Sequence, residues 1–227
     1  MVDEHGSPSF EGKLGVLPPA EELELVRLVR RAIGPDRPLR LDANMGWSLE
    51  TAREMLTALC EFDIAGIEEP VATFAELVSL RGTTSIPFSS HTPDLESAAS
   101  LGVPDALVLG IGACGGIAGT LRFVERCAAA GVGFWFYSGD LGIATAAQLH
   151  VTAVAPSLSA PSQSLLRWTA DDVTVEGARS PERGVLPVPD GPGLGVTLDE
   201  SALLRCVERF AREGEYDLYT GPPLPRY

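Results

Sequence analysis

Short apolar runs alternate with amphipathic stretches along most of the chain. Six runs have the length and composition of buried strands, at 10–16, 39–43, 64–69, 86–90, 105–111 and 132–138. Apolar residues at helical spacing predict helices at about 19–34, 48–62, 73–81, 93–101, 115–130, 141–154 and 199–213. A strand followed by a helix, repeated in this way, predicts an α/β fold with a parallel sheet.

The residues at the predicted helix ends support these limits. The first helix begins with Pro19 and acidic residues and ends in arginine and Gly34, as the helix dipole and helix termination favour. Ser48 is a good N-cap for the second helix, and Glu50 lies in its first turn.

A glycine-rich stretch, GIGACGGIAG at 110–119, tests whether the sheet is a nucleotide-binding one. Gly110, Gly112 and Gly115 satisfy the GxGxxG pattern between a predicted strand and a predicted helix. The pattern occurs in the fifth strand unit, however, and the next strand ends in Tyr137 and a serine instead of an acid that would bind a ribose. A TIM-type (β/α) barrel is therefore the better prediction.

In such a barrel, the chemistry lies at the carboxyl ends of the strands. The polar residues near successive predicted strand ends are Lys13, Asp42, Asn44, Glu68, Glu69, Ser89, Ser90, His91 and Tyr137. Three neighbouring strands thus end in an aspartate, a glutamate and a histidine. These residue types bind metal ions, so the pattern predicts a metal site with a lysine on the preceding strand beside it.

Composition narrows the class of protein further. The chain has 227 residues and a net charge of -14, which argues against binding to nucleic acid or to an anionic membrane surface. Four cysteines without a CxxC pair indicate free thiols in a reducing cytoplasm. The first ten residues lack the features of a signal peptide, and no run approaches the ~18 apolar residues of a membrane span.

Three segments carry a resemblance to a known family. LRLDANMGWS, IAGIEEPV and VPDGPGLGVTLDE resemble the metal-binding strands and the C-terminal segment of the enolase superfamily, in its mandelate racemase and glucarate dehydratase branch. FEGKLGVLPPAEELELVRLVRRAIGPDRPLRLDANMGWS resembles glucarate dehydratase-like proteins in order and spacing. The similarity runs from about Phe10 to about Leu204.

The resemblance implies a role for each matching residue. Asp42 corresponds to the first metal carboxylate and Asn44 to the amide beside it that contacts the substrate. Glu68 corresponds to the second metal ligand, and His91 lies where the third ligand is found. Lys13 corresponds to the second lysine of a KxK motif, which is usually the base.

The chemistry that the resemblance implies begins with a carboxylate substrate bound to Mg²⁺. A base removes the proton beside the carboxylate, and the metal and a lysine stabilise the resulting charge. The expected reaction is dehydration of an acid sugar. Racemisation or epimerisation is an alternative, but it requires two opposed bases.

Several residues depart from the family pattern. Glu11 replaces the first lysine of KxK and should share a face with Lys13, where it would keep Lys13 charged. The positions of a His–Asp dyad on later strands hold Tyr137 and Gly110, so Tyr137 is the remaining candidate acid or base there. His91 in the ligand set would suit Mn²⁺, Fe²⁺ or Zn²⁺ at least as well as Mg²⁺.

The same residues also have simpler interpretations. Lys13 could form a salt bridge to Glu11 or Asp42, and Asn44 could be a left-handed turn residue. His91 could be a partly buried hydrogen-bonding imidazole, and Tyr137 an aromatic residue that packs on the rim.

Residues 1–9 are predicted to be a flexible tail and residues 10–227 one barrel domain. The family's N-terminal capping domain and first barrel strand are expected to be absent, which would leave an unpaired strand edge. A separate capping subunit, self-association, altered closure or a longer natural protein would each resolve this. A catalytically degraded barrel or a subunit of a split enzyme is therefore the rival to an active lyase.

Overall fold

The computed structural model of the protein describes residues 6–137, 142–155, 158–163, 166, 171–177, 179 and 181–214. The strands are β1 Phe10–Lys13, β2 Leu39–Asp42, β3 Ile64–Glu68, β4 Phe88–Ser90, β5 Ala106–Val108 and β6 Gly133–Trp135. The helices are α1 Pro19–Ile33, α2 Leu49–Leu59, α3 Phe74–Leu80, α4 Leu95–Leu101, α5 Gly116–Ala129, α6 Gly142–Val154 and α7 Glu200–Glu213, and Cys60–Phe62 forms a 3₁₀ turn.

The six strands form one parallel sheet in chain order, with a helix following each strand. This order confirms the predicted α/β fold of TIM-barrel type. Lys13 pairs with Asp42, Asp42 with Glu68, and Glu68 with Ser89. Because these residues lie side by side at the carboxyl ends of their strands, the register brings the predicted site residues to one level of the barrel.

The main hydrophobic core lies between the sheet and the helices. Leu41 and Ile67 on the strands pack in one cluster with Leu56 on α2, and all three are almost fully buried. A second cluster contains Phe134 and Phe136, whose rings meet edge to face at 5.1 Å between centroids. Both clusters hold the helices against the sheet from outside the barrel. The barrel interior is thereby left to polar residues.

The strands are shorter than the sequence predicts because turns begin earlier. The predicted strand at 10–16 ends at Lys13, and Gly15 then adopts a φ of 84° with its Cα packed against the backbone of Ala43 and Gly46. The glycine-rich stretch forms turns that lead into α5, where the Ala113 N–H donates to the Gly110 carbonyl at 3.1 Å. It is a strand-to-helix connection of the barrel.

The N-cap predicted for α2 is present in the structure. The Ser48 hydroxyl accepts a hydrogen bond from the Thr51 N–H at 3.1 Å, so the predicted cap is confirmed. Asp199 caps α7 in the same way through the Ala202 N–H. No helix among the described residues has both the length and the apolar composition needed to cross a membrane.

The barrel wall continues past β6 as an irregular segment at 158–163. The Ser159 N–H donates to the Phe134 carbonyl at 3.0 Å, and the Gln163 N–H donates to the Phe136 carbonyl at 2.9 Å. Within the described part of the chain, no backbone hydrogen bond joins this segment to β1. The sheet of the described residues is therefore not closed at β1, in agreement with the prediction of an incomplete barrel.

A buried carboxylate fixes the loop between β1 and α1. Glu22 is 1% exposed and accepts hydrogen bonds from the Val16 and Leu17 N–H groups, at 2.9 and 3.1 Å, and from the Trp47 indole at 3.0 Å. One side chain thus ties the loops that follow β1 and β2 to each other. These two loops border the carboxyl end of the barrel.

We expect Glu22→Ala to lower the free energy of unfolding by about 3 kcal/mol or more, because three donors lose a charged acceptor. Urea unfolding measures this change. Glu21→Ala, at the exposed neighbouring position of the same helix, is the matched control. An equal, small effect of both substitutions would contradict an anchoring role for Glu22.

Candidate active site

Three acids from the first three strands meet in the barrel, Asp42 and Glu68 at the carboxyl ends of β2 and β3 and Glu11 two residues before the end of β1. One carboxylate oxygen from each of Glu11, Asp42 and Glu68 lies within 4.8 Å of the other two. Asp42 is 1% exposed and Glu68 is 6% exposed. Among the residues that the structure describes, these three side chains lie close enough together to hold a metal ion.

Two basic side chains contact these acids. The Lys13 Nζ donates to Asp42 Oδ2, and the Arg40 Nε lies 3.3 Å from Glu11 Oε2. Arg40 also stacks over the Trp135 ring, 4.9 Å from its centroid, and donates to the Pro161 carbonyl at 2.9 Å. Of the two partners suggested for Lys13, Asp42 is the one it contacts. Arg40 was missed, although it precedes Asp42 by two residues and so shares its face.

The charges in this cluster are not fully balanced. The pKa of Glu11 is raised to about 7, because burial and, to a smaller extent, the charges of Glu68 and Asp42 raise it by more than Arg40 lowers it. Burial lowers the pKa of Lys13, but the hydrogen bond and charge of Asp42 outweigh it, so that the pKa is raised overall. The cluster therefore retains a charged lysine, and burial together with the neighbouring carboxylates disfavours the ionised form of Glu11, which a further cation would favour.

The composition of the acid group decides which ions fit. Carboxylate oxygens are hard ligands of the type that Mg²⁺ prefers, and Mn²⁺ accepts the same set. Asp42, Glu68 and Glu11 supply one such oxygen each within a short mutual distance. The residues present thus fit the divalent cation that the family resemblance implies.

Asn44 lies in the turn directly after β2. Its φ is 46°, as expected for a left-handed turn residue, and its N–H donates to Asp42 Oδ1 at 2.8 Å. Its side-chain amide donates to Asp42 Oδ2 at 3.1 Å. Asn44 therefore orients Asp42, and its contact with a substrate stays a prediction.

His91 contacts two glutamates that follow one another on the chain. Its Nδ1 lies 3.0 Å from Glu69 Oε2 and 3.7 Å from Glu68 Oε1. The carboxylates of Glu68 and Glu69 raise the pKa of His91 above its usual value, although burial lowers it. His91 borders the acid group without belonging to it, and its role as a metal ligand stays a prediction.

Tyr137 and Gly110, at the positions of the dyad on later strands, lie against each other. A Cβ placed at Gly110 would overlap the Tyr137 hydroxyl, so the tyrosine ring occupies the space that a side chain at 110 would need. Tyr137 is 37% exposed, in agreement with a rim position. Its catalytic role stays a prediction, and Asp140, the other acid considered nearby, lies outside the described residues.

Two further polar residues join the site, Gln163 and Glu69, and neither was given a role from the sequence. The Gln163 side chain donates to Glu68 Oε2 at 3.3 Å from the segment beside β6. Glu69 is 2% exposed and binds Ser90 and His91. Glu69 could have been found from its place after Glu68, whereas nothing in the sequence near Gln163 indicates a strand.

The strand order defines a β/α-barrel domain, and its three clustered carboxylates could hold a metal ion. A family profile described as "Enolase C-terminal domain-like" matches residues 1–202. The chain belongs to the enolase superfamily and corresponds to its C-terminal barrel domain.

Individual relatives have different activities. A protein of Streptomyces coelicolor named "Probable glucarate dehydratase" is 31% identical over 209 residues, which cover 89% of this chain and 48% of that protein. The chloromuconate cycloisomerase CbnB of Cupriavidus necator is 32% identical over 209 residues, which cover 88% of this chain and 56% of that protein.

A solved structure agrees with the fold. The enolase of Pseudomonas fluorescens Pf0-1, crystallised with bound magnesium, potassium and tartrate, aligns with a TM-score of 0.88 at 26% identity. The alignment covers 95% of this chain and 52% of that one. The chain thus spans about half the length of the relatives that it matches.

Proposed function

We propose that this domain is the barrel of a divalent-metal-dependent lyase that removes the proton beside a carboxylate and dehydrates an acid sugar. The observation that carries the proposal is the close approach of Glu11, Asp42 and Glu68 at the strand ends of an enolase-superfamily barrel. Membership in this superfamily is compatible with dehydration, cycloisomerisation and other outcomes, so the particular reaction is part of the proposal.

Asp42, Glu68 and Glu11 would hold the cation, with Mg²⁺ or Mn²⁺ favoured by the oxygen ligands. When bound, the cation would neutralise part of the charge on the substrate carboxylate and on the group formed as the proton leaves. Asn44 holds the oxygens of Asp42 in place by hydrogen bonds, and Gln163 does the same for Glu68. The protein thereby fixes the orientation of its own ligands.

Lys13 and Tyr137 are the candidate groups for proton movement. The Lys13 side chain is 62% exposed at the level of the acids, so a bound carboxylate can reach it. In contact with Asp42 it keeps its proton, a state that suits stabilisation of developing negative charge. It can accept a proton only after this contact weakens. Tyr137, partly exposed at the rim beyond β6, is the second candidate.

The names of relatives support an acid sugar as the substrate class. The relative from Streptomyces coelicolor is named as a glucarate dehydratase, and the relative from Pseudomonas fluorescens was crystallised with tartrate. Both compounds carry carboxylates with hydroxyl groups on the neighbouring carbons. Such substrates have both the proton beside the carboxylate and the β-hydroxyl leaving group that dehydration requires.

The test is solvent exchange in the presence of metal. With Mg²⁺ in D₂O, glucarate and related sugar diacids are expected to incorporate deuterium beside a carboxylate or to lose water, which NMR detects. Asp42→Asn should abolish both signals, whereas Glu24→Gln, a surface control, should not. Metal binding without exchange or dehydration for any acid of the panel would contradict the proposed reaction.

A second function is favoured by the open barrel. A cavity of about 380 Å³ lies at the amino-terminal end of the barrel, and it is lined by residues in or just before all six strands, Arg40 and Trp135 among them, and by residues 159–161. In the described structure the buried Trp135 Nε1 has no hydrogen-bond partner. An added polypeptide strand could pair with the side of β1 that faces away from β2, which would make this domain one subunit of a split enzyme.

This second proposal has a direct test. The part of the Streptomyces coelicolor relative outside the matched region can be expressed as a separate polypeptide and mixed with this protein. Hydrogen exchange should then slow at the Glu11 and Lys13 amides, on the open side of β1. Unchanged exchange at these amides would contradict a docking site at this edge.

We also infer that the protein works in the cytoplasm. The four cysteines Cys60, Cys114, Cys127 and Cys206 are free in the structure, as expected in a reducing compartment.

A further inference from the structure

A carboxylate–imidazole pair joins the ends of β3 and β4 beside the acid group. Glu69 Oε2 lies 3.0 Å from His91 Nδ1. Glu69 Oε1 accepts hydrogen bonds from the Ser90 hydroxyl at 2.9 Å and from the His91 N–H at 3.1 Å. One oxygen of the carboxylate thus bonds the last residue of β4 and the backbone of the residue after it, and the other, which has no hydrogen-bond partner among the described residues, faces the His91 ring.

The backbone of Glu69 shows that this arrangement is built into the turn. Glu69 has a φ of 43°, a left-handed conformation that is uncommon for residues other than glycine, and the residue is only 2% exposed. Its N–H donates to the Ser89 carbonyl at 3.0 Å. The side chain therefore has little freedom to release His91.

The imidazole of His91 is partly open to solvent. Its side chain is 46% exposed, and its Nδ1 faces the carboxylates of the two glutamates. A histidine has two ring nitrogens, so Nε2 remains for a partner outside the protein. The acid group that could hold a metal ion takes its third oxygen from Glu11 and does not include His91.

We propose that Glu69 fixes His91 as a hydrogen-bonding group for the substrate and keeps its imidazole out of the metal site. This inference rests on the proposed function. In it, His91 contacts an oxygen of the acid sugar through Nε2, and Glu69 is a positioning residue that acts through His91. The assignment differs from that implied by the family resemblance, in which position 91 supplies the third metal ligand.

Titration calorimetry separates the two roles. With Mn²⁺ alone at pH 8, His91→Ala should leave the dissociation constant within about twofold of wild type, whereas Glu11→Gln should raise it about tenfold or more. With the Mn²⁺-loaded protein, glucarate and tartrate are the probes. The acid that wild type binds should be bound about tenfold more weakly by His91→Ala and several-fold more weakly by Glu69→Gln.

Conservative variants serve as controls for geometry. A glutamine amide can replace Nε2, and an asparagine amide can replace Nδ1, so His91→Gln should restore more of the affinity for the acid than His91→Asn. A purely structural role for His91 would make the two variants alike. Thermal unfolding of each variant checks that the fold is retained.

Each remaining outcome has a definite meaning. If His91→Ala weakens Mn²⁺ binding as strongly as Glu11→Gln, His91 is a metal ligand and the inference is wrong. If Mn²⁺ and acid affinities are both unchanged in His91→Ala, the histidine does not contact the substrate and the inference is again wrong, although the proposed function stands. A wild-type protein that binds neither Mn²⁺ nor either acid overturns the proposed function together with the inference.

Discussion

Asp42→Asn is expected to weaken Mn²⁺ binding by about 100-fold or more, and Glu68→Gln by a similar factor. Loss of a residue that only supports a metal ligand costs on the order of 10- to 100-fold in affinity, so loss of a ligand's charge should cost at least that much. Both carboxylates are more than nine-tenths buried, so bulk water cannot replace them freely. Calorimetric titration at pH 8 measures the effect.

Substitution of Lys13, at the same site, should have the opposite effect on Mn²⁺ affinity and so serves as a control. Its ammonium group contacts Asp42 and competes for the oxygen that would bind the cation. Lys13→Met should therefore tighten Mn²⁺ binding, while Glu24→Gln on the surface of α1 should leave it unchanged. If Asp42→Asn and Glu68→Gln both retain wild-type affinity for Mn²⁺, the ion does not bind at these strand ends and the proposed function is lost.

The barrel order could be predicted because each strand unit carries its own signal. Leu39 and Leu41 alternate with Arg40 and Asp42, and this short pattern alone identifies β2 as a strand with a polar inner face. The ends of the strands could not be predicted equally well. The packing of Gly15 against Ala43 sets the end of β1, and this contact joins residues far apart in the sequence.

The site was predictable only where strand register decides it. Asp42 and Glu68 are neighbours in the register of β2 and β3, so their meeting follows from two adjacent parallel strands. The register also places Glu11 opposite Arg40 and Lys13 opposite Asp42, which explains why Glu11 pairs with the arginine. From the sequence alone Glu11 could be related only to Lys13, because its partner on β2 depends on the register between the two strands.

Contacts that depend on irregular backbone could not be predicted from the sequence. Gln163 reaches Glu68 from a segment without regular strand structure. Glu69 reaches His91 because a left-handed φ turns its side chain toward β4. Neither a periodic pattern nor a local motif encodes such geometry, since both contacts depend on where distant parts of the barrel wall come to lie.

The metal-free protein is expected to lose stability as the pH rises from 5 to 8, and Glu11 should be a main cause. The pKa of Glu11 is raised from an ordinary 4.5 to about 7 in the folded protein. Because the pKa of Glu11 is higher in the folded protein than in the unfolded chain, its contribution to the free energy of unfolding is fully present below pH 4.5. That contribution is lost as the pH rises through about 7. For Glu11 this loss amounts to about 2–3 kcal/mol between pH 5 and 8.

Glu11→Gln isolates this contribution. The variant cannot titrate at position 11, so its free energy of unfolding should fall by about 2–3 kcal/mol less than that of wild type over the same pH range. Urea unfolding in EDTA at several pH values measures both slopes. Because glutamine also loses the ion pair with Arg40, the comparison is between slopes and not between absolute stabilities. Parallel slopes would show that Glu11 titrates in the folded protein as it does in the unfolded chain.

Addition of Mn²⁺ connects this stability to the metal site. An ion that binds only the folded state stabilises it in proportion to the logarithm of its concentration over the dissociation constant. In wild type at pH 8, saturating Mn²⁺ should therefore recover the stability that ionised Glu11 removes, since the carboxylate would then face a cation. Glu11→Gln should gain less from the same Mn²⁺ concentration. If both proteins gain the same stability from Mn²⁺, Glu11 is a carboxylate beside the metal site and not one of its ligands.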